Sequence, residues 1–246
     1  MMVFAKYFIT ELKLRFRIPV SVFFVFIFPL FLMFAFAESF GKQIPNYIPN
    51  NISLIMFYAV LSASVVSFSN DISQYKTANF YFLLERRAGN KFLYLLAQVL
   101  AFVVIIFLST LAILAVAHFR YSYSLPNFGT LALFYGKLYL YTLPFFLVAI
   151  IIGFISKNVA MASAIGLPVM FVSYFIGGMM VPYSGLSGSL KILSSHFFLT
   201  QLLSDLTHTL TDTYTVTPNW SLIGSSIGLI VLVTVFVLYR SSFVRK

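Results

Sequence analysis

"FLYLLAQVLAFVVIIFLSTLAILAVA", residues 92–117, contains no acidic, basic or histidine side chain. A helix that crosses a membrane needs about 20 mostly apolar residues, because the hydrocarbon layer is roughly 30 Å thick. Of the whole 246-residue chain, 61% is hydrophobic and only 9% is charged, whereas about a quarter of a soluble domain is charged. So few charges could not cover a surface that faces water. The sequence therefore predicts an all-α polytopic membrane protein.

Similar apolar runs recur along the chain and predict six transmembrane helices in a single transmembrane domain, residues 1–246. The predicted spans are 18–38, 51–69, 92–117, 131–155, 158–181 and 217–239. These runs are long and do not alternate in polarity, so they do not fit the strands of a closed β-barrel. The N-terminus lacks the short apolar core and cleavage site of a signal peptide. We therefore expect the first span to remain in the mature protein.

The distribution of basic residues predicts the orientation. There are 16 Lys and Arg against 6 Asp and Glu, which gives a net charge of +10, and cytoplasmic loops are enriched in Lys and Arg. If both termini are cytoplasmic, the inside segments carry Lys6, Lys13, Arg15, Arg17, Lys76, Arg86, Arg87, Lys91, Lys157, Arg240, Arg245 and Lys246. The outside segments then carry only Lys42, Arg120, Lys137 and Lys191. This asymmetry predicts an N-in/C-in topology, and it assigns the positive charge to anionic lipid headgroups rather than to nucleic acid.

Residues 2–17 precede the first span and have a helical apolar pattern. The apolar residues at three- and four-residue spacing are Val3, Phe4, Tyr7, Phe8, Leu12 and Phe16, and the cations Lys6, Lys13 and Arg17 lie elsewhere. This pattern predicts an amphipathic helix in the inner headgroup layer. The alternative is an ordinary basic flank.

Residues 182–212 separate the fifth and sixth spans. The pair Gly177-Gly178 and then Pro182 would break the fifth helix, and leucines recur at helical spacing after it. We expect a broken or re-entrant outer helix followed by an interfacial helix.

No set of residues predicts a catalytic site, a metal site or a cofactor bound by this chain. There are no cysteines, and no residues show metal-ligand spacing around the isolated histidines His118, His196 and His208. The stretch "GLSGSLK", residues 185–191, lacks the glycine spacing and the Lys-Ser/Thr of a phosphate-binding loop. We therefore expect that the chain is not an enzyme by itself.

Ionisable residues that could relay protons within the membrane are also missing. Glu38, His118, Arg120 and Lys137 lie near span ends, where their side chains can reach the interface. A six-span chain without its own energy source is a passive channel, a structural protein, or the membrane half of an assembly powered by another chain.

A charged segment rich in aromatic residues joins spans two and three. Residues 70–90 read "NDISQYKTANFYFLLERRAGN". Together with the amphipathic first helix, the very short turn at 156–158 and the broken segment before span six, this arrangement resembles the transmembrane subunit of type-2 ABC exporters. That permease family includes drug, polysaccharide and peptide exporters. The segment keeps the family's acidic residue, basic residue and leucine pair as Asp71, Lys76 and Leu83-Leu84, but "RAGN" stands where the family has a proline.

The resemblance implies partners. Such subunits pair with a second transmembrane subunit, identical or different, in a bacterial plasma membrane and bind cytosolic ABC ATPases, which hold the ATP. It also implies that residues 70–90 contain a coupling helix that docks on the ATPase. The anchors would be Phe80, Tyr81, Phe82 and Leu84, and the orienting charges would be Glu85, Arg86 and Arg87. The alternative is that Arg86, Arg87 and Lys91 only keep the loop inside the cell, which does not explain three aromatic residues in a polar loop.

The cargo is predicted only by class. Spans two and five offer many Phe and Met, hardly any charge, and the serines Ser62, Ser64, Ser67, Ser69, Ser163 and Ser173. Such a pathway suits amphipathic or hydrophobic cargo, although serines also serve close helix packing. The composition resembles that of Gram-positive peptide and toxin exporters, including those for phenol-soluble modulins. The alternatives are a polysaccharide or lipid-linked glycan exporter and, from another class, a small channel or assembly scaffold that does not use ATP.

Overall fold

The structure, a computed structural model, describes residues 2–41, 44, 46–87, 89–181, 183–211 and 216–241. Its helices are α1 (Met2–Arg17), α2 (Pro19–Phe40), α3 (Tyr47–Thr77), α4 (Phe80–Arg86), α5 (Lys91–Tyr121), α6 (Phe128–Ile155), α7 (Val159–Ile176), α8 (Gly188–His196), α9 (Phe198–Thr211) and α10 (Trp220–Arg240). The described residues contain no strand. Lys42, Pro182, Arg245 and Lys246, which entered the sequence analysis, lie outside the described residues.

Six of the described helices, α2, α3, α5, α6, α7 and α10, are long and apolar enough to cross a membrane. This confirms the predicted all-α fold with six spans. The second of these helices continues to Thr77. The first part of the predicted coupling segment, residues 70–77, therefore extends span two, and the short helix α4 follows it.

Helix α3 occupies the centre of the bundle and is almost wholly buried. It packs against α2, α5, α6, α7 and α9, whereas α10 lies at the periphery against α6 and α9. Two spans contain a π-helical segment, Phe23–Ile27 in α2 and Ser62–Phe68 in α3. Pro29 has no N–H to donate to the carbonyl group of Val25, and the Ser109 hydroxyl of α5 donates to that carbonyl at 2.5 Å.

Small residues let the neighbouring spans approach α3 closely. A Cβ atom at Gly166 of α7 would lie 3.0 Å from the Val65 carbonyl oxygen. Three buried serines of α3, Ser62, Ser64 and Ser69, donate to carbonyl oxygens of their own helix, Ser64 to that of Val60 and Ser69 to that of Val65, both at 2.6 Å. These serines therefore lie in helix contacts.

The segment after α7 folds back into the bundle. The chain turns after Ile176 at Gly177 and Gly178, and Gly178 adopts a φ of +70° that favours glycine. Helix α8 is largely exposed, whereas the residues of α9 from Leu199 to Thr207 are all buried between α3 and α6.

The polar side chains of α9 bond to several spans. Thr207 contacts the Ser53 hydroxyl of α3 at 2.7 Å. The Asp205 carboxylate accepts from Tyr141 at 2.5 Å and pairs with Lys137 at 2.9 Å, both residues of α6. Lys137, which the sequence suggested could reach the interface alone, thus has an acidic partner.

Gly153 of α6 provides a test of the packing around α3. A Cβ atom there would lie 2.6 Å from Ile72 Cβ and 2.9 Å from the Ser69 carbonyl oxygen, whereas a Cβ at Gly136 of the same helix meets nothing within 4 Å. We expect Gly153→Ala to destabilise the fold by about 1–3 kcal/mol, the usual cost of overpacking. Thermal unfolding of the purified chain in detergent measures this effect. Gly136→Ala should unfold at the wild-type temperature or slightly above it, and equal behaviour of the two variants would contradict the packing described here.

Candidate coupling site

A sharp turn separates α3 from α4. The Ala78 N–H bonds to the Gln74 carbonyl oxygen at 2.9 Å and ends α3. Asn79 then takes a left-handed φ of 54°, which asparagine tolerates better than most residues. The Asn79 carbonyl oxygen accepts from the Leu83 N–H at 3.0 Å in the first turn of α4. Helix α4 therefore has a defined direction relative to span two.

A second turn connects α4 to α5 without the proline expected from the family pattern. The Gly89 N–H bonds to the Leu84 carbonyl oxygen at 2.9 Å, and a Cβ on Gly89 would lie 2.7 Å from Leu84 Cδ1. The Asn90 side chain then caps α5, because its Oδ1 accepts from the N–H groups of Phe92 and Leu93, both at 3.0 Å. In this chain the cap at Asn90 starts span three.

One face of α4 is fixed to the transmembrane bundle. Tyr81 is buried, donates to Gln98 Oε1 at 3.1 Å and stacks on Phe154 with ring centroids 6.0 Å apart. Burial raises the pKa of the Tyr81 phenol, so it stays protonated as a donor. The Phe80 ring packs on Tyr75 and Tyr94, with centroids 4.9 and 4.8 Å away. Of the predicted anchors, Phe80 and Tyr81 therefore hold α4 to its own chain.

The other face of α4 is exposed. Phe82 and Leu83 are 54% and 52% exposed, and the Arg86 guanidinium lies 4.5 Å from the centroid of the Phe82 ring. Arg87 is also exposed. We call Phe82, Leu83, Arg86 and Arg87 the outer surface of α4. Leu83 belongs to it although sequence reasoning did not name it as a site residue.

Two further predicted site residues lie between these faces. Leu84 is half-buried and contacts the turn at Gly89. Glu85 is exposed but pairs with Lys91 at 2.9 Å, which bridges α4 to the first residue of α5. The ion pair between Glu85 and Lys91 thus stabilises the turn between α4 and α5.

A buried ion cluster lies next to the base of α4. Glu11 and Arg15 of α1 are 0% and 1% exposed and pair at 2.7 Å. Arg15 also pairs with Asp71 of α3. Glu11 accepts hydrogen bonds from the Tyr75 hydroxyl of α3 at 2.9 Å and from the Tyr94 hydroxyl of α5. The cluster joins α1, α3 and α5.

Sequence reasoning did not identify this cluster. It counted Arg15 among the cytoplasmic cations and gave Glu11 no role. One signal was present: Glu11 is one of only 6 acidic residues and stands four positions before Arg15, a spacing that pairs charges on one helix face.

Lys76 connects the end of α3 to the end of α6. Its ammonium group donates to the carbonyl oxygens of Phe154 at 2.5 Å and Ser156 at 2.9 Å. These carbonyls belong to the last turn and the C-cap of α6, where a cation is favourable. The end of α3 is thus bonded directly to α1 and α6 and, through Glu11, to α5, and α4 extends from this fixed base.

The contacts around α4 leave one face of the helix fixed and the other exposed. Within the described ranges, no group of three or more His, Cys, Asp or Glu residues could hold a metal ion. The site instead consists of an exposed contact surface on a helix whose opposite face is bonded to two spans.

The family model for ABC-2 type transporters matches residues 4–211, which include α4 and the buried cluster. The chain belongs to this family and is a type-2 ABC permease, the multi-pass membrane subunit of an ABC transporter. Membership implies an ABC ATPase as its partner. No curated protein and no solved structure matches the chain significantly.

The buried ion cluster predicts that replacing Arg15 lowers the stability of the fold strongly. Replacing it by Met would leave the Glu11 and Asp71 carboxylates buried without their common cation. We expect the free energy of unfolding to fall by about 3–5 kcal/mol, as when one partner of a buried ion pair is removed. Denaturant unfolding in detergent micelles measures it. Lys13→Met, on the exposed face of the same helix, is the control, and a similarly small effect of both substitutions would show that the cluster is not formed.

Proposed function

We propose that the chain is the membrane-spanning subunit of an ATP-driven exporter, and that the outer surface of α4 receives a cytosolic ABC ATPase. The observation that carries this proposal is the two-sided construction of α4. Its inner face is bonded through Tyr81 to α5 and stacked on α6, whereas Phe82 and Leu83 project outward beside two arginines.

The chemistry of the outer surface defines the partner surface. An exposed phenylalanine and leucine outside the spans favour burial in an apolar groove. Arg86 and Arg87 would orient the contact toward carboxylates at the rim of that groove. An arginine above the Phe82 ring can keep its packing there while its N–H groups pair outward.

The contacts at the base of α4 support a role in transmission. A force on α4 reaches α5 through Tyr81 and Gln98, and it reaches α3 through the turn at Asn79. Lys76 and the Glu11 cluster extend this connection to α6 and α1. Closure of the ATPases would therefore move a connected group of helices rather than a loop.

We place both termini and α4 in the cytoplasm on the basis of the Lys and Arg distribution. We also infer a second transmembrane subunit, identical or different, and a bacterial plasma membrane, as in the exporters that this chain resembles.

A groove supports amphipathic or hydrophobic cargo, such as a peptide, toxin or lipophilic drug. It measures about 370 Å³ and lies between α6, α7 and the turn between α8 and α9. Phe145, Val148, Pro168, Val169, Val172, Ser173, Phe197 and Phe198 line it. Of these residues only Ser173 carries a hydroxyl, which favours apolar cargo over a glycan that needs many hydrogen bonds. Cargo of the phenol-soluble-modulin kind fits this chemistry.

The double variant F82A/R86E tests the docking surface. Both side chains are exposed, so we expect the fold to keep its stability within about 0.5 kcal/mol. We expect a co-expressed cytosolic ABC ATPase that assembles with the wild-type chain to co-purify with this variant at least about tenfold less well, because aromatic and arginine anchors carry much of an interface's energy. Lys157→Glu changes a different exposed cation of the turn between α6 and α7 and should leave co-purification intact. Normal assembly and ATP-driven export by F82A/R86E would refute docking through α4.

The topology can be tested because the natural chain has no cysteine. Ser124→Cys, in the exposed loop between α5 and α6, and Lys157→Cys, in the turn after α6, each introduce a single thiol at an exposed position. A membrane-impermeant maleimide added to intact cells should label Ser124→Cys and should label Lys157→Cys only after permeabilisation. The reverse result would place α4 outside the cell and remove the basis for an ATPase contact.

A further inference from the structure

The face of α1 opposite the buried cluster carries a cationic stripe. Lys6, Lys13 and Arg17 are exposed, and none has an acidic partner among the described residues. Their spacings of seven and four residues place them along one side of the helix, over about 16 Å of its axis. Ile9 and Phe16 flank the stripe and are about half exposed, at 49% and 51%.

The position of α1 indicates which kind of ligand binds the cationic stripe. Helix α1 ends at Arg17 and span one begins at Pro19, so the stripe lies at the boundary of the membrane. Its other face packs on α5 and holds Glu11 and Arg15. A row of cations flanked by apolar side chains at that depth fits lipid phosphates, with the apolar groups reaching the acyl chains. An acidic soluble protein would not require exposed apolar side chains beside the cations.

We propose that the exposed face of α1 binds the headgroups of anionic phospholipids, and that this binding stiffens the segment that carries α4. The second part follows from the contacts of the same helix. The lipid-facing cations and the buried Glu11 lie on opposite sides of α1, and Glu11 is bonded to Tyr75 and Tyr94 on either side of α4. A lipid that immobilises α1 therefore reduces the motion of both ends of the coupling segment. This proposal does not depend on docking of an ATPase.

The binding part is tested with the full chain alone in detergent. Fluorescent phosphatidylglycerol is titrated, with phosphatidylcholine as the zwitterionic reference. Each Lys or Arg near an anionic surface contributes a factor of about five in affinity, so K6Q/K13Q/R17Q should bind phosphatidylglycerol at least about tenfold more weakly. The charge-preserving variant K6R/K13R/R17K should bind as the wild type does. Lys157→Gln, which removes one exposed cation outside α1, should lose no more than that factor of about five.

Two results would overturn the binding part. One is equal affinity of the wild type and K6Q/K13Q/R17Q for phosphatidylglycerol. The other is equal binding of phosphatidylglycerol and phosphatidylcholine by the wild type, which would indicate ordinary solvation by lipid.

The transmission part is tested by hydrogen–deuterium exchange of residues 80–94. Phosphatidylglycerol should slow deuterium uptake in this segment of the wild type, whereas K6Q/K13Q/R17Q should show no change. Tyr75→Phe removes one hydrogen bond to Glu11 without removing a charge. This variant should bind the lipid normally yet gain less protection. Full protection in both Tyr75→Phe and Glu11→Gln, or no protection in the wild type, would show that the cluster does not transmit lipid binding.

Discussion

Enclosure of α3 by five other helices is the constraint on which the rest of the structure depends. A helix without a lipid-facing side must offer close contacts all around it and must satisfy its polar groups inside the protein. Ser64 and Ser69 donate to their own helix backbone, and Gly153 of α6 and Gly166 of α7 leave room for α3 to pack closely. Because α3 cannot shift sideways without disturbing its neighbours, both of its ends become fixed points. One end carries the coupling segment and the other bonds to α9.

The ion cluster connects this end of α3 to α1 and α5. Three charged groups, Glu11, Arg15 and Asp71, are buried together, at a desolvation cost that their mutual contacts offset. Such a cluster adds little net stability compared with apolar packing, but it permits only one relative placement of α1, α3 and α5. We infer that the role of the cluster is to fix these three helices relative to one another, because α4 is then attached to a rigid part of the bundle.

Buried polar and ionic contacts fix the structure at both ends of the molecule, next to α4 and at α9. At the α4 end, Lys76 and Arg15 bond buried acceptors and leave one aromatic surface free. At the α9 end, Asp205 pairs with Lys137 while Thr207 contacts Ser53, so a helix that follows a broken span is held inside the bundle. The apolar groove lies beside the turn that leads into α9. Movement of α6 relative to both α3 and α7 would alter the groove and the Lys76 contact together.

The sequence by itself determined the six spans, because the length of an apolar run is a local property. It also located α4 and its arginines, because charged and aromatic residues are conspicuous in so apolar a chain. Only the tertiary structure decided which of those residues face outward. Tyr81 turned inward because Gln98 and Phe154 offered it a partner and a stacking surface, while Leu83 joined Phe82 on the exposed side. The contacts of Glu11 with Tyr75 and Tyr94, and of Lys137 with Asp205, join residues far apart in the chain. A local pattern cannot predict such pairs, since whether a charge is buried depends on helices that the fold brings beside it.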